Sequence, residues 1–280
     1  MAIFEYFSYP PILAGFIALV IAGTTFPLAG VFVVQLNLIP LRFMLMHASL
    51  LGGALALAFA LPQTFLVPLV NLGFVAAMAL LSGGRFRELH YATVFLMVLA
   101  VALASVLIHA LGVPAKDTMA LLWGSVFTLH IADVVQIACI GAAFVAYVLC
   151  AGTAATGVLY DKAVAVSSGI RYSLHFNAIL IMLGIAVGAA MRLIGALLLD
   201  ALILLPAIIG IKAASSMRSA FIYASLSGLI ISVSGFMVAL AADIPVSGSV
   251  TLCAACGFAA MTLFTRKRNR NEKNNAAHTV

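Results

Sequence analysis

The sequence predicts an all-α polytopic membrane protein with eight or nine transmembrane helices in a packed bundle, and three observations support this fold class. First, 65% of the 280 residues are hydrophobic and only 8% are charged, whereas a soluble domain carries about 25% charged residues. Second, the apolar stretches recur at lengths near the ~20 residues that span a bilayer. Third, small residues are dense within them, as in GIAVGAAMRLIGA, and such residues let membrane helices approach closely.

Nine apolar runs, bounded by polar residues and helix breakers, are the candidate spans. In chain order they cover 11–35, 44–62, 64–82, 92–113, 132–158, 175–190, 193–210, 219–242 and 249–265. The runs at 175–190 and 193–210 are shorter than a normal span, and Arg192 lies between them. They give nine spans if they are separate helices and eight if they form one interrupted helix.

The first run is expected to remain in the protein rather than to be cleaved as a signal peptide. The residues before it, MAIFEYFSYPP, lack a basic segment. The apolar run that follows is longer than the apolar core of a signal peptide.

Basic residues indicate the orientation of the spans, because cytoplasmic loops of membrane proteins carry an excess of Lys and Arg. If the segment from Arg266 is cytoplasmic, alternation places twelve of the fourteen basic residues on that side. These twelve are Arg42, Arg85, Arg87, Lys162, Arg171, Lys212, Arg218, Arg266, Lys267, Arg268, Arg270 and Lys273. Only Lys116 and Arg192 fall outside. The count favours nine crossings, with the N-terminus outside and the C-terminus inside.

The end of the chain differs in composition from the rest. Residues 266–280 are polar, basic and low in complexity, which is typical of a disordered segment. We therefore expect a transmembrane domain over 1–265 and a disordered cytoplasmic tail over 266–280.

Motifs of common enzyme classes are absent from the sequence. There is no G-x-x-x-x-G-K-[ST] phosphate loop, no H-E-x-x-H and no G-x-S-x-G, so the chain is not expected to hydrolyse ATP or to be an enzyme.

Asp200 is the strongest anomaly at membrane depth, because it lies among apolar residues in GALLLDALILLP. An aspartate at the centre of a membrane helix costs about 2.5–3.5 kcal/mol. A role in a ligand site or a transport pathway is one interpretation, and a hydrogen-bonded carboxyl that holds helices together is the other. If the chain turns toward the cytoplasm at Pro206, Asp200 lies roughly 9 Å from the inner end of its helix.

His47 lies near the start of its span, in LRFMLMHASLL, roughly 6 Å from the inner end of the helix. It could therefore meet Asp200 if the two helices are neighbours, and an imidazole with a carboxylate is a partial shell for Zn²⁺, Mn²⁺ or Fe²⁺. Met44 could share a face with His47 at i, i+3, and its thioether suits Cu(I). Alternatively, Met44 is a packing or lipid-facing residue.

His130 and Asp133 form a second polar pair, also at i, i+3 on one helix face. They could guide cations at the outer mouth, or they could be no more than a solvated helix start.

Seven segments, taken in chain order, resemble the integral-membrane permeases of ABC importers for zinc, manganese and iron, the ABC-3 type. They are YPPILAG, LAGVFVV, HASLLGGALA, LLWGSVFTLHIADV, YDKAVAVSSGI, GALLLDALILLPAIIGIKAA and DIPVSGSVTL. Each is weak alone, but together they cover nearly the whole chain.

The resemblance implies a set of partners. Two permease copies, identical or paralogous, would form the pathway in a bacterial cytoplasmic membrane. Two ATP-binding subunits would dock on the cytoplasmic face, and an extracytoplasmic metal-binding protein would deliver the ion. No cofactor would be permanently bound, since ATP acts through the partner. The segment 207–218 resembles the family's coupling region, so Pro206, Ala207, Lys212 and Arg218 are the candidate coupling residues.

One motif departs from the family pattern. The family usually has R-R-x-S-F-x-G-D-x-L-x-H-A where this chain has LNLIPLRFMLMHA. His47 matches the family histidine, but Phe43 stands at the position of the aspartate. Asp200 stands where the family commonly has a small residue. We therefore expect Asp200 to supply the missing carboxylate and to pair with His47.

The sequence supports an importer permease for a divalent metal ion as the leading function. The same scaffold could carry copper or a metal chelate instead. An ATP-independent secondary carrier, with Asp200 as a proton-relay acid, is the third alternative. The sequence does not rank zinc, manganese and iron.

Overall fold

The computed structural model describes residues 9–112, 124 and 126–277, with the backbone alone for Phe86 and 266–277. This part of the chain contains eleven α-helices, one short 3-10 turn at Val126–Thr128 and no strand. The helices are α1 Pro10–Gln35, α2 Ile39–Ala58, α3 Gln63–Ser82, α4 Phe86–Ala110, α5 Ile131–Cys150, α6 Gly152–Tyr160, α7 Lys162–Ser167, α8 Tyr172–Ile194, α9 Ala196–Ala213, α10 Met217–Ala242 and α11 Val246–Ala277. The predicted all-α fold is confirmed.

Nine of the helices in the described part of the chain are long and apolar enough to cross a membrane, namely all except α6 and α7. The ambiguity between eight and nine spans is resolved at Gly195, which separates α8 from α9. Gly195 has φ +84° and ψ 158°, a backbone conformation that is open to glycine and strained for other residues. Arg192 lies in the last turn of α8 rather than between the two helices.

The predicted span over 132–158 is wrong in extent. Helix α5 ends at Cys150, and Ala151 has a non-helical ψ of 18° before α6 begins. The next helix, α7, has a clear start signal: the carboxylate of Asp161 accepts hydrogen bonds from the backbone N–H groups of Ala163 and Val164, as an N-cap residue does. The apolar composition continues across the break, so hydropathy alone did not reveal it.

Helix α1 lies at the centre of one group of helices, where it packs against α5, α9 and α10, while α9 and α10 also pack against α11. Helices α2, α3, α4 and α8 form a second group. Small residues allow the close contacts: a Cβ at Gly30 would overlap the backbone carbonyl of Ile203, and a Cβ at Gly228 would overlap that of Gly23. The density of small residues in the spans therefore has the packing role that the sequence predicts.

A polar junction joins three helices of the second group. The side-chain amide of Asn71 in α3 donates to the Ser49 hydroxyl of α2 at 2.9 Å and to the Gly184 carbonyl of α8 at 3.2 Å. Asn71 and Ser49 are buried. Each of these side chains thus has a hydrogen-bond partner inside an apolar environment, where a polar group without a partner would be costly.

The last helix extends beyond the predicted transmembrane domain. The backbone is helical to Ala277, whereas the sequence predicts disorder from 266. The domain boundary at 265 remains a prediction. Lys116, one of the two basic residues expected outside, lies outside the described residues.

Candidate functional site

Asp200 forms an ion pair with Arg42, which joins α9 to α2. The Arg42 side chain is 3% exposed and that of Asp200 is 30% exposed. The guanidinium also lies over the ring of Phe43, 4.2 Å from its centroid. The isolated anion that the sequence indicates at membrane depth is therefore neutralised by a neighbouring cation.

The expected pair of Asp200 with His47 is not formed: no ion pair joins them in the described part of the chain. Arg42 and His47 are separated by about 140° around α2, at 100° per residue. A neighbouring helix that meets one of them therefore faces away from the other. His47 is half-buried and shares a side of α2 with Phe43 and Leu50.

The depth predicted for Asp200 is also wrong. Pro206 lies inside α9 and does not end it. The helix continues to Ala213, so Asp200 is about 20 Å from its last residue at 1.5 Å per residue. A proline without a backbone N–H can remain in a membrane helix, because neighbouring helices can satisfy the carbonyl that it frees four residues earlier, here that of Leu202. The Ser227 hydroxyl of α10 donates to the Pro206 carbonyl at 3.1 Å and joins the two helices beside the proline.

Two exposed stripes flank the ion pair. On α9, Leu197, Asp200 and Leu204 are more exposed than the buried residues between them. On α2, Phe43, His47 and Leu50 form the corresponding stripe. Both follow the helical period. The stripes offer an imidazole and a salt-bridged carboxylate on an otherwise apolar surface, which can face lipid, a second chain or a pathway.

Met44 does not belong to this surface, since its side chain is fully buried in the core. The thioether is therefore not presented beside the half-buried imidazole of His47. Among the described residues, no group of three or more His, Cys, Asp or Glu side chains could hold a metal ion. A bare ion bound here would need further ligands from water, the substrate's own groups or another chain.

The second polar pair belongs to a cluster at the opposite end of the bundle from the loop joining α1 and α2. One carboxylate oxygen of Asp133 accepts the backbone N–H of His130 at 3.0 Å. The other accepts from Arg192 at 3.1 Å, and Arg192 also donates to Gln136 at 3.0 Å. Asp133 thus caps its own helix and pairs with α8, which favours a structural helix start over a cation guide.

The four candidate coupling residues have different environments. Pro206 and Ala207 are buried within α9. Lys212 and Arg218 are exposed on either side of the loop between α9 and α10. The Lys212 ammonium donates to Thr262 at 3.0 Å. Of the four residues, only Lys212 and Arg218 are accessible to another protein.

The sequence interpretation missed a surface formed by α6 and α7. These helices do not span the membrane, yet Tyr160, Val164 and Val166 are 76%, 52% and 58% exposed. The N-cap aspartate Asp161 was the available signal in the sequence. Exposed apolar side chains outside the spans are typical of a protein contact.

Comparison with known proteins gives a family and two similar structures. The family described as "ABC 3 transport family" matches residues 8–265. PsaBC from Streptococcus pneumoniae in complex with Fab has a chain with TM-score 0.80 and 19% identity, which covers 92% of this chain and 94% of its own. An inward-facing ABC transporter, provisionally assigned to the metal-chelate type, gives TM-score 0.73 and 19% identity over 90% of this chain and 85% of its own. At these identities the two structures show a shared fold. No curated protein sequence gives a significant match.

Proposed function

This chain belongs to the ABC 3 transport family, and from that premise we propose that it moves a divalent metal ion (zinc, manganese or iron) into the cell as the permease of an ATP-driven importer. The observation that carries the proposal is the family match over 8–265, which spans all nine candidate membrane helices. The resemblance of the fold to a metal-chelate type ABC transporter supports a substrate that contains a metal.

We assign the pathway to the two exposed stripes, the one on α2 that carries His47 and the one on α9 that carries Asp200. An ion would meet the imidazole on the first stripe and, on the second, a carboxylate that is already paired with Arg42. Release of Asp200 from Arg42 would expose a carboxylate to the ion, and re-formation of the ion pair would expel it. A second permease copy facing this surface would double the ligand set.

A metal chelate is the second candidate substrate, and the engagement of Asp200 by Arg42 is the observation that favours it. Phe43 stands where the resemblance places an acidic residue, and the carboxylate of Asp200 is already neutralised by Arg42. A chelate whose own atoms surround the metal needs no coordinating carboxylate. Copper bound through Met44 is less favoured, because that side chain is buried. An ATP-independent carrier is disfavoured by the family match.

The partners follow from the same proposal. An ATP-binding subunit would dock on the cytoplasmic face, against the exposed side chains of α6 and α7 and the loop that carries Lys212 and Arg218. A metal-binding protein would approach the end that carries Asp133 and Arg192. The membrane would be the bacterial cytoplasmic membrane, with the C-terminus inside.

Uptake by the reconstituted complex tests the proposal. The permease and its ATPase are placed in vesicles, and ATP-dependent accumulation is compared for Zn²⁺, Mn²⁺, Fe²⁺ and copper, each free and chelated. His47→Ala and Asp200→Ser are expected to reduce uptake at least tenfold. Exchange of Val98, an exposed residue of α4, for alanine serves as the control.

Three results would separate the alternatives. Uptake of chelates alone would favour the second candidate. Uptake without ATP, together with failure of an ATPase to co-purify, would indicate a secondary carrier. Full uptake by both variants would refute the assigned pathway.

A further inference from the structure

A cavity of about 530 Å³ lies between the turn that joins α3 to α4, helix α7 and the first turns of α8. Its deeper wall is apolar and includes the buried side chains of Leu89, Phe176 and Leu180. Three basic residues line it as well, Arg85, Lys162 and Arg171, and all three are exposed. The cavity therefore joins an apolar interior to a positively charged rim.

The three positive charges are not neutralised within the described part of the chain. None of them takes part in an ion pair there, and Lys162 only lies over the ring of Tyr172, 5.8 Å from its centroid. No acidic residue lines the cavity. Asp161, next to Lys162, accepts two backbone hydrogen bonds at the start of α7 and offsets part of the positive charge, so that the rim stays positive overall. An anionic group would complement this rim.

The cavity lies at the level where membrane helices begin. Arg85 is the N-cap residue of α4, and Tyr172 is the first residue of α8. The count of basic residues assigns this end of the bundle to the cytoplasm. Phospholipid phosphates lie at this level, and anionic lipids give the cytoplasmic leaflet its negative surface potential.

We propose that this cavity binds an anionic phospholipid of the cytoplasmic leaflet. Its phosphate lies among Arg85, Lys162 and Arg171, and an acyl chain lies along Leu89, Phe176 and Leu180. The apolar wall distinguishes the site from one for a soluble anion, which would gain nothing from it. Lys162 and Val166 of α7 border both this cavity and the surface proposed to meet the ATPase, so the lipid would lie beside that contact. The site does not depend on which substrate is transported.

Lipid retention by the purified chain tests the proposal. The protein is reconstituted in bilayers of phosphatidylcholine mixed with phosphatidylglycerol, extracted in mild detergent, and its bound lipids are counted by native mass spectrometry. Preferential retention of phosphatidylglycerol is expected. Each Lys or Arg near the membrane surface contributes about a fivefold change in affinity for anionic lipid. The Arg85→Gln, Lys162→Gln, Arg171→Gln triple variant should therefore bind on the order of 100-fold more weakly.

Arg87→Gln is the matched control, because Arg87 is exposed two residues from Arg85 but does not line the cavity. It should retain the lipid as the unmodified chain does. A second variant, Ala79→Phe, keeps all three charges and fills the apolar part of the cavity, since Ala79 lines it. It should also lose the lipid.

Three results would overturn the proposal. In the first, phosphatidylcholine and phosphatidylglycerol are retained equally. In the second, soluble glycerol phosphate displaces the lipid while Ala79→Phe retains it, which would indicate an anion site. In the third, the triple variant keeps the lipid but no longer co-purifies with the ATP-binding subunit, which would make the rim a protein contact. Melting temperatures of the variants exclude misfolding as the cause of a loss.

Discussion

At the scale of single residues, the ion pair between Arg42 and Asp200 is the main departure from an apolar membrane interior. Arg42 is almost fully buried, and its Nε has no hydrogen-bond partner among the described residues. A buried pair gains little over an apolar one, but a buried charge without its partner is strongly destabilising. The free-energy cost of replacing either residue should therefore depend on whether the other is still present.

Removing one partner should consequently cost more than removing both. Asp200→Ala alone leaves the Arg42 guanidinium buried and unpaired, and it should lower the free energy of unfolding by about 3–5 kcal/mol. The Arg42→Met, Asp200→Leu double variant should lie within about 1–2 kcal/mol of the unmodified chain, because apolar groups replace both charges. Thermal unfolding in detergent measures both.

The pair of Asp133 with Arg192 provides an internal comparison. It is joined by a single hydrogen bond of 3.1 Å between side chains that are 19% and 18% exposed. Arg192→Gln should cost about 1–2 kcal/mol, because Asp133 keeps the backbone hydrogen bond from His130 and a glutamine amide can still donate to it. Two results would contradict this account. In the first, Asp200→Ala and Arg192→Gln lower the free energy of unfolding equally. In the second, the Arg42→Met, Asp200→Leu double variant is no more stable than Asp200→Ala.

The sequence identified one half of the ion pair and not the other. Asp200 was recognisable because an acid within an apolar run is costly. Arg42 was assigned to the cytoplasmic loop from its place near the end of a run, although it lies within α2 and is buried. An arginine inside a helix also requires a counter-ion, and few acids lie at membrane depth. The contact itself depends on how α2 and α9 lie in space, which the local sequence does not encode.

At the scale of helices, the two glycines Gly30 and Gly73 illustrate how packing decides the effect of the same substitution. Both lie within helices. A Cβ at Gly30 would overlap the Ile203 carbonyl and contact the Ala207 side chain, whereas a Cβ at Gly73 would meet nothing within 4 Å. Gly30 thus sets the distance between α1 and α9.

Gly30→Ala should therefore destabilise the chain by about 1–3 kcal/mol, the usual cost of overpacking. Gly73→Ala should be neutral or stabilise it by about 0.5–1 kcal/mol, because alanine loses less conformational entropy in a helix. The two melting temperatures should shift in opposite directions from the parent. A rise of equal size in both would mean that helix propensity, rather than packing, dominates.

Most helices were predictable, because long apolar runs must satisfy their backbone groups within one segment. The errors in the predicted helix bounds fall where the hydrophobic composition of the sequence does not change. The break between α5 and α6 occurs within an apolar run, and α9 continues through Pro206. In both cases neighbouring helices decide whether the chain bends. The break between α8 and α9 was predicted at Arg192, and it lies three residues later at Gly195.

At the scale of the whole molecule, nine spans place the two termini on opposite sides of the membrane. The predicted orientation puts the C-terminus in the cytoplasm. It also puts the loop joining α3 to α4 and helices α6 and α7 there, with the loops that follow α2 and α10 outside. The family match does not establish this orientation.

Labelling of single cysteines tests the orientation. Against a background in which Cys139, Cys150, Cys253 and Cys256 are replaced, cysteines are placed at the exposed positions Gly83, Ser168, Leu61 and Asp243. A membrane-impermeant maleimide should label the last two in intact cells, and the first two only after permeabilisation. Inverted labelling of all four would reverse the orientation, and mixed labelling would refute nine spans.

The packing of α1 against α9 also has a consequence for synthesis. Gly30 contacts Ile203, which follows roughly 170 residues later, so at 5–20 residues per second α9 leaves the ribosome about 10–35 s after α1. During that interval the glycine face of α1 is in the bilayer without its native partner. A nascent chain that stops before Gly195 has α5 to pack against α1 but lacks α9 and α10. The face of α1 that carries Gly30 can then be covered only by lipid, by the insertion machinery or by a quality-control protease.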